Sequence, residues 1–228
     1  FDDPRLKFDR LRMRGSWTVS PTRAPGEPHK SFSVSVPELE IENPDTAGSV
    51  AATYTNPGHG RGQLDLKATI ARVKVPTIPR YLPTSIGEHL RHYLGHGLQD
   101  GTSRDATIEV HGSLDKFPYS REPQAGVFRI VAPFTGGKFD PSPYPPKTLK
   151  NGTPDIWPAI DGIDGVFTLK ENKLRFDIAR AHYKGVALKS VAGRIDDLGS
   201  HASDLVIAGQ AHGPLADLLD YVNNLSLI

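Results

Sequence analysis

The stretch that decides the fold runs from Trp157 to Ile195, WPAIDGIDGVFTLKENKLRFDIARAHYKGVALKSVAGRI. Apolar residues occupy every second position in three short runs. These are Phe167 and Leu169, then Leu174, Phe176 and Ile178, then Val186 and Leu188. A period of two predicts strands with one apolar and one polar face. The breaks at 171–172 and 184–185 have the spacing of hairpin turns. We therefore predict an antiparallel meander.

The same alternation extends to both sides of this stretch. It is clearest from Gln63 to Val73, and it recurs in Ser31–Glu42, where Pro37 at a change of phase predicts a bulge or an edge position. A first strand is expected to end at Gly15. The predicted fold class is mainly β with two short helices, the antiparallel meander forming a curved, elongated sheet that can take the shape of a groove.

Two segments have helical periodicity. The first is expected to be capped by Thr84 or Ser85, with Glu88 three residues after Ser85, and to run to about Leu98. The second runs from Pro214 to Asn224, with proline in its first turn. We divide the chain into an N-terminal β segment, 1–80, and a helix-plus-meander segment, 81–228. We expect the two segments to form one continuous elongated unit.

Composition excludes several functional classes. The formal net charge is +1, from 27 basic and 26 acidic residues, so nucleic acid is not an expected partner. Cysteine is absent, which excludes disulfides, thiolate metal sites and a cysteine nucleophile.

No apolar run approaches the roughly 20 residues that a membrane span requires. We expect no membrane span in this segment.

No catalytic constellation is visible. There is no Gly-x-Ser-x-Gly nucleophile motif. The carboxylates Glu38, Glu40 and Glu42 share one strand face, whereas glycoside hydrolysis needs two carboxylates facing each other. We therefore predict no enzyme activity and no cofactor.

A weak metal candidate is the histidine set His89, His92 and His96, which follows one stripe of the first predicted helix. Three ligands spread over two helical turns rarely converge on one ion, so we expect a solvated helix face and no metal. A second alternative is a sugar-binding platform made by Trp157, Tyr144 and Phe139. We favour the interpretation that these aromatic residues cover a core.

The apolar strand face itself remains. About ten predicted strands are accompanied by only two helices, so an open sheet would leave apolar surface on which hydrocarbon could replace a missing protein layer. The same residues would otherwise form an ordinary sandwich core. The lipid-groove candidates are Leu64, Leu66, Ile70, Ile108, Val110, Phe128, Ile130, Phe167, Leu169, Leu174, Phe176 and Ile178.

Four motifs resemble a known family. They are Trp157 to Gly165; Asp204 to Asp217 with Tyr221 to Asn223; Tyr81-Leu82-Pro83 before Leu90-Arg91-x-Tyr93-Leu94; and Leu114-Asp115-x-Phe117-Pro118-Tyr119 followed by Gly126-x-Phe128. Together they resemble the YhdP family, AsmA-like envelope proteins of Gram-negative bacteria. The first eighty residues match more loosely.

The resemblance implies a role in transport and no catalytic residues. Family members are large periplasmic proteins anchored in the inner membrane and implicated in phospholipid transport to the outer membrane. This chain would be an internal, non-enzymatic segment, with phospholipid and the rest of its own chain as partners. The alternative from the residues alone is a β-sandwich-like binding or adhesion module for carbohydrate or a protein partner.

Overall fold

A computed structural model describes residues 6–21, 30–82, 86–144, 147–148, 154–155, 157–200 and 202–224. The strands are β1 (Arg10–Pro21), β2 (Lys30–Glu42), β3 (Thr46–Asn56), β4 (Gln63–Lys74), β5 (Leu98–Ser113), β6 (Gly126–Phe139), β7 (Lys147–Thr148), β8 (Pro154–Asp155), β9 (Ile160–Lys170), β10 (Lys173–Tyr183), β11 (Val186–Ile195) and β12 (Leu205–His212). The α-helices are α1 (Glu88–Gly97) and α2 (Leu215–Asn224), and 3₁₀ turns span Val75–Tyr81 and Pro123–Ala125.

Ten of these strands form one antiparallel sheet in the order β1-β2-β3-β4-β5-β6-β9-β10-β11-β12. Each strand pairs with the next one along the chain, and the short β7–β8 ladder is inserted between β6 and β9. The outer strands β1 and β12 do not pair with each other, so the sheet is open. This confirms the predicted fold class, a mainly β protein built on an antiparallel meander.

The meander predicted from the central stretch is present. Strands β9, β10 and β11 are joined by turns at 171–172 and 184–185, as the polar breaks predicted. Glu171 and Lys184 adopt left-handed φ values of 57° and 49° in these turns. Tight reversal of the chain therefore overrides the local preference of two non-glycine residues.

Two predicted boundaries were wrong. Strand β1 does not end at Gly15, because the ladder with β2 shifts register between Arg14 and Ser16 and then continues to Pro21. Helix α1 begins only at Glu88, with Gly87 at its N-cap and no side-chain cap. The expected caps Thr84 and Ser85 lie outside the described residues. The bulge expected at Pro37 is confirmed by a register shift between Val36 and Leu39.

A small cluster of buried apolar residues lies where β9, β10 and β11 meet. Ile163, Ile178 and Ala181 are buried there. Partly buried apolar residues pack around them, namely Phe134, Phe139, Ile160, Phe176, Leu188 and Val191. Because the chain enters both helices from the same ends of the strands, α1 and α2 lie at one end of the sheet. No helix in the described part of the chain is long and apolar enough to cross a membrane.

Candidate functional site

The pairing of the strands places the predicted groove residues on one side of the sheet. Residues directly opposite each other in an antiparallel ladder point to the same side. The relevant pairs are Leu66 with Val110, Val110 with Phe128, Ile108 with Ile130, Ile130 with Leu169, Leu169 with Leu174 and Phe167 with Phe176. Leu64, Ile70 and Ile178 follow by alternation along β4 and β10. We call this side the apolar face.

The apolar face is open to different degrees. Of the twelve candidates, Val110 and Ile178 are buried, and the other ten are only half-buried. Towards the edges the exposure rises. Trp17 on β1 is 76% exposed and Ile207 on β12 is 47% exposed. They belong to this face because ladder partners connect them to it. Trp17 is connected to Leu64 through Val34 and Tyr54, and Ile207 is connected to Phe176 through Gly193.

The edge residues of the face were missed by the sequence analysis. Met13 and Trp17 lie in a strand whose alternation changes phase at Gly15, so their side could not be assigned before the bulge was known. The uncharged run Leu205–Ala211 has apolar residues at consecutive positions, which hides the period of two. The register with β11 was the missing information.

Each end of the apolar face is partly covered. At the helical end, the Tyr93 ring of α1 packs edge-to-face on Phe139 at 6.2 Å, and its hydroxyl donates to the Pro141 carbonyl at 3.2 Å. At the other end, the segment 114–125 brings Phe117 within 4.8 Å of Phe128, measured between ring centroids. Between these covers, the half-buried side chains of β4 to β10 form the surface.

The opposite side of β1 and β2 is polar. Arg10, Arg12 and Arg14 lie across from Glu42, Glu40 and Glu38, with nitrogen–oxygen distances of 3.9, 3.8 and 3.9 Å. All six side chains are well exposed, so the pairs are surface ion pairs of small energy. The glutamates therefore do not form opposed carboxylates across a cleft.

One carboxylate, Asp164, joins three strands at the irregular end of the sheet. Its Oδ1 accepts the Gly136 backbone N–H at 2.8 Å, and its Oδ2 accepts Arg180 Nε–H at 2.5 Å. The Gly136 hydrogen bond, followed by the Arg180 contact, lowers the pKa of Asp164. The ladders on both sides of β9 shift register at this place. The Asp164 carboxylate therefore has a structural role, since it connects β9 to β6 and β10 where the ladders are irregular.

Helix α2 is held to the β10–β11 hairpin by a second carboxylate. Asp220 Oδ2 accepts from the Tyr183 hydroxyl at 2.5 Å and from Lys184 Nζ at 2.6 Å, and the Tyr183 and Tyr221 rings lie 5.0 Å apart. Burial first, and then Asp220, raises the pKa of Tyr183. The other side of α2 leaves Leu215 70% exposed.

The three histidines of α1 lie along an exposed side of the helix. His92 and His96 stack at 6.1 Å, and His89 stacks on Tyr144 at 6.2 Å. A cavity of about 280 Å³ lies between Glu88, His89, His92 and Tyr144. Across the described ranges, no group of three histidine, aspartate or glutamate side chains is arranged to hold a metal ion.

The three aromatic residues considered for sugar binding have separate surroundings. Phe139 packs against Tyr93 and the core, Tyr144 lies beside His89 and His96, and the Trp157 backbone N–H donates to Ser142 Oγ at 2.9 Å. A β-sandwich would need a second large sheet. Besides the ten-stranded sheet, the described residues form only the two-stranded β7–β8 ladder.

Comparison with known proteins gives a family and one curated relative. The family model described as YhdP protein matches residues 1–228, the whole chain. Intermembrane phospholipid transporter YhdP of Escherichia coli (strain K12) is 22% identical over 194 residues, which are 83% of this chain and 14% of that protein. The chain thus spans about a seventh of the length of this relative. No solved structure matches the chain. Because the family model covers every residue, the chain belongs to the YhdP family.

Proposed function

We propose that this chain is a non-enzymatic segment of a periplasmic protein anchored in the inner membrane, and that its apolar face conducts phospholipid towards the outer membrane. In this role it contributes to the integrity of the envelope. Support comes from the family and from the E. coli relative, which is named as an intermembrane phospholipid transporter. The rest of the longer chain would supply the anchor and the remaining length of the path.

The observation that carries the proposal is the continuity of the apolar face. It extends from Trp17 on β1 to Ile207 on β12. Ladder partners link Trp17 through Val34 and Tyr54 to Leu64, and Phe167 through Phe176 and Gly193 to Ile207. The central pairs of β4, β5, β6 and β9 join these two series. A soluble monomer rarely exposes so large a contiguous apolar surface without a binding role. In the middle of the sheet, ten of the twelve candidate side chains are only half-buried and keep part of their apolar surface in contact with solvent.

Acyl chains are suitable occupants for such a surface. Apolar area removed from water contributes about 25 cal/mol per Å², or about 0.8 kcal/mol per methylene. A few methylenes are therefore enough to hold a chain on the face. No directional contact is required, so the same surface accepts the next lipid as readily as the first.

The ionisable groups with shifted pKa values favour a non-enzymatic role. Asp164 connects β6, β9 and β10, and Tyr183 holds α2 through Asp220. Each shift has its cause in a structural contact or in burial.

Neighbouring residues of β5 give a matched test. Ile108 is half-buried on the apolar face, whereas Thr107 is exposed on the polar face. Ile108→Asp and Thr107→Asp introduce the same charge one residue apart. The chain is purified from bacteria without detergent, and bound phospholipid is measured by native mass spectrometry and by lipid extraction.

We expect phospholipid to copurify with the wild-type chain and with Thr107→Asp, and to be lost from Ile108→Asp. Circular dichroism must show that all three proteins retain their β content. A wild-type chain that neither copurifies with phospholipid nor takes it up from added vesicles would contradict the proposal. Equal lipid in both variants would place the lipid away from the apolar face.

A further inference from the structure

Glycines on the apolar face are covered by large side chains of neighbouring strands or loops. In each case, the position that an added Cβ would occupy lies between 2.0 and 3.1 Å from an atom of the covering side chain, which is closer than van der Waals contact. The covered and covering residues are Gly48 with Ile70, Gly126 with Tyr119, Gly165 with Ile178, Gly193 with Phe176, and Gly209 with Val191. Four of these glycines lie on the apolar side by their ladder positions, and Gly209 does so by alternation with Ile207.

At the pair Gly193–Phe176, an added Cβ would meet a side chain first, and not the backbone of the neighbouring strand. These residues are directly opposite in the β10–β11 ladder. The three atoms nearest to an added Cβ at Gly193 are all Phe176 ring carbons, within 2.6 Å. At Gly165, by contrast, the nearest atoms include the Asp177 carbonyl oxygen and the Ile178 Cα. At Gly193, therefore, the closest obstacle to an added Cβ is a side chain and not the backbone.

The Phe176 ring consequently lies along the sheet. A ring that stands on its own strand would rise from the pleated surface, since strand side chains are roughly perpendicular to the sheet. Here the ring extends from β10 over β11, and Gly193 is buried beneath it. Phe167 borders the ring on β9, and Ile207 follows beyond Gly193 on β12.

We infer that Gly193 is a positioning residue for the proposed lipid path. Because Gly193 has no side chain, the Phe176 ring can lie flat against β11, and the apolar face stays continuous from β9 to β12. The inference rests on the proposed function. A flat ring presents its broad side to an acyl chain that crosses the strands. A raised ring would divide the face and remove contact area from the ligand.

Substitution of Gly193 by alanine tests this directly. Its φ lies outside the left-handed range, so the backbone accepts a side chain. The added methyl group must displace the Phe176 ring. Binding of a fluorescent phospholipid from vesicles is measured for the wild-type chain, Gly193→Ala, Phe176→Ala and the double variant. Gly95→Ala is the control, since an added Cβ there meets no atom within 4 Å apart from its chain neighbours and the backbone of its own helix.

The effect of Gly193→Ala should depend on the ring. When Phe176 is present, we expect Gly193→Ala to bind phospholipid roughly tenfold more weakly than the wild-type chain. This loss corresponds to about 55 Å² of apolar contact. In the Phe176→Ala background we expect no further change, because the methyl group then meets no ring. Thermal unfolding by circular dichroism identifies any variant that is unfolded at the assay temperature.

The outcomes separate the inference from the proposed function. If the wild-type chain binds phospholipid and folded Gly193→Ala binds equally well, the positioning role is wrong and the lipid path stands. The same holds if Gly193→Ala weakens binding equally in both backgrounds. If the wild-type chain binds no phospholipid, the proposed function is wrong and the inference falls with it.

Discussion

Arg180 Nε donates to Asp164 Oδ2 at 2.5 Å, across a place where the β9–β10 ladder loses its regular register. The other carboxylate oxygen accepts from the Gly136 backbone on β6. The side chain of Asp164 is 18% exposed, whereas that of Arg180 is 66% exposed. The contact thus replaces part of the regular ladder at the bulges with a charge-assisted bond.

Asp164→Asn should destabilise the chain at neutral pH, because the amide keeps one acceptor oxygen and loses the charge. The pKa of Asp164 is lowered in the folded state. Its contribution is therefore fully present above the usual carboxyl pKa of about 3.9 and is lost as pH falls through the lower, folded-state value. Urea unfolding at several pH values should show a gap between wild type and variant that is constant near neutrality and closes in acid. A gap that is unchanged in acid would contradict this assignment.

The alternating runs around Phe176 were sufficient to predict the meander, because period two and short polar breaks are local properties. The continuity of the apolar face could not be predicted. It depends on bulges, such as the one at Gly15, which decide the side to which the residues of β1 point. The burial of Gly193 under Phe176 depends likewise on cross-strand register. The early end predicted for β1 came from treating a glycine bulge as a stop.

Tyr183→Phe should loosen α2 while leaving the sheet intact. The substitution removes the hydrogen bond to Asp220 and keeps the ring contact with Tyr221. A hydrogen bond to a carboxylate contributes about 1.5–3 kcal/mol, and the remaining Lys184 contact reduces the loss. Hydrogen exchange should therefore become faster in 215–224 and stay unchanged in β9.

Tyr221→Phe is the matched control for this prediction, since the Tyr221 hydroxyl has no hydrogen bond to any described residue. It should leave exchange in α2 unchanged. The raised pKa of Tyr183 also predicts a pH effect. The proton is held more tightly in the folded state, so the contribution is present below about pH 10 and is lost as pH rises further. Equal exchange in both variants would mean that the hydroxyl of Tyr183 does not hold the helix.

Ile163→Ala and Ile207→Ala should differ strongly in their effect on stability. Ile163 is 8% exposed and belongs to the core, whereas Ile207 is 47% exposed at the edge of the apolar face. A buried isoleucine replaced by alanine typically costs about 2–5 kcal/mol, because a cavity remains. The exposed residue should cost less than about 1 kcal/mol. Urea unfolding of the lipid-free chain measures both.

The two variants should have the opposite order in phospholipid binding. Ile207→Ala removes ligand-accessible apolar area, and Ile163→Ala removes area that the protein has already buried. Weaker binding by Ile163→Ala than by Ile207→Ala, with both proteins folded, would mean that the ligand enters the core. This pair therefore distinguishes a surface path from an internal cavity.

The outer edge of β12 should make the isolated chain self-associate. Its run Leu205–Ala211 contains no charge or proline, and it has no strand neighbour on its outer side among the described residues. Exposed, uncharged edge strands pair readily with other strands, and lysine is a common means of preventing this. Ala208→Lys should therefore lower the weight-average mass in sedimentation experiments at micromolar concentration.

Ala192→Lys is the matched control, because Ala192 lies directly opposite Ala208 on the interior strand β11. Both positions are exposed, so the two lysines differ mainly in their distance from the edge. A monomeric wild-type chain, or an equal effect of both lysines, would show that the β12 edge does not drive association.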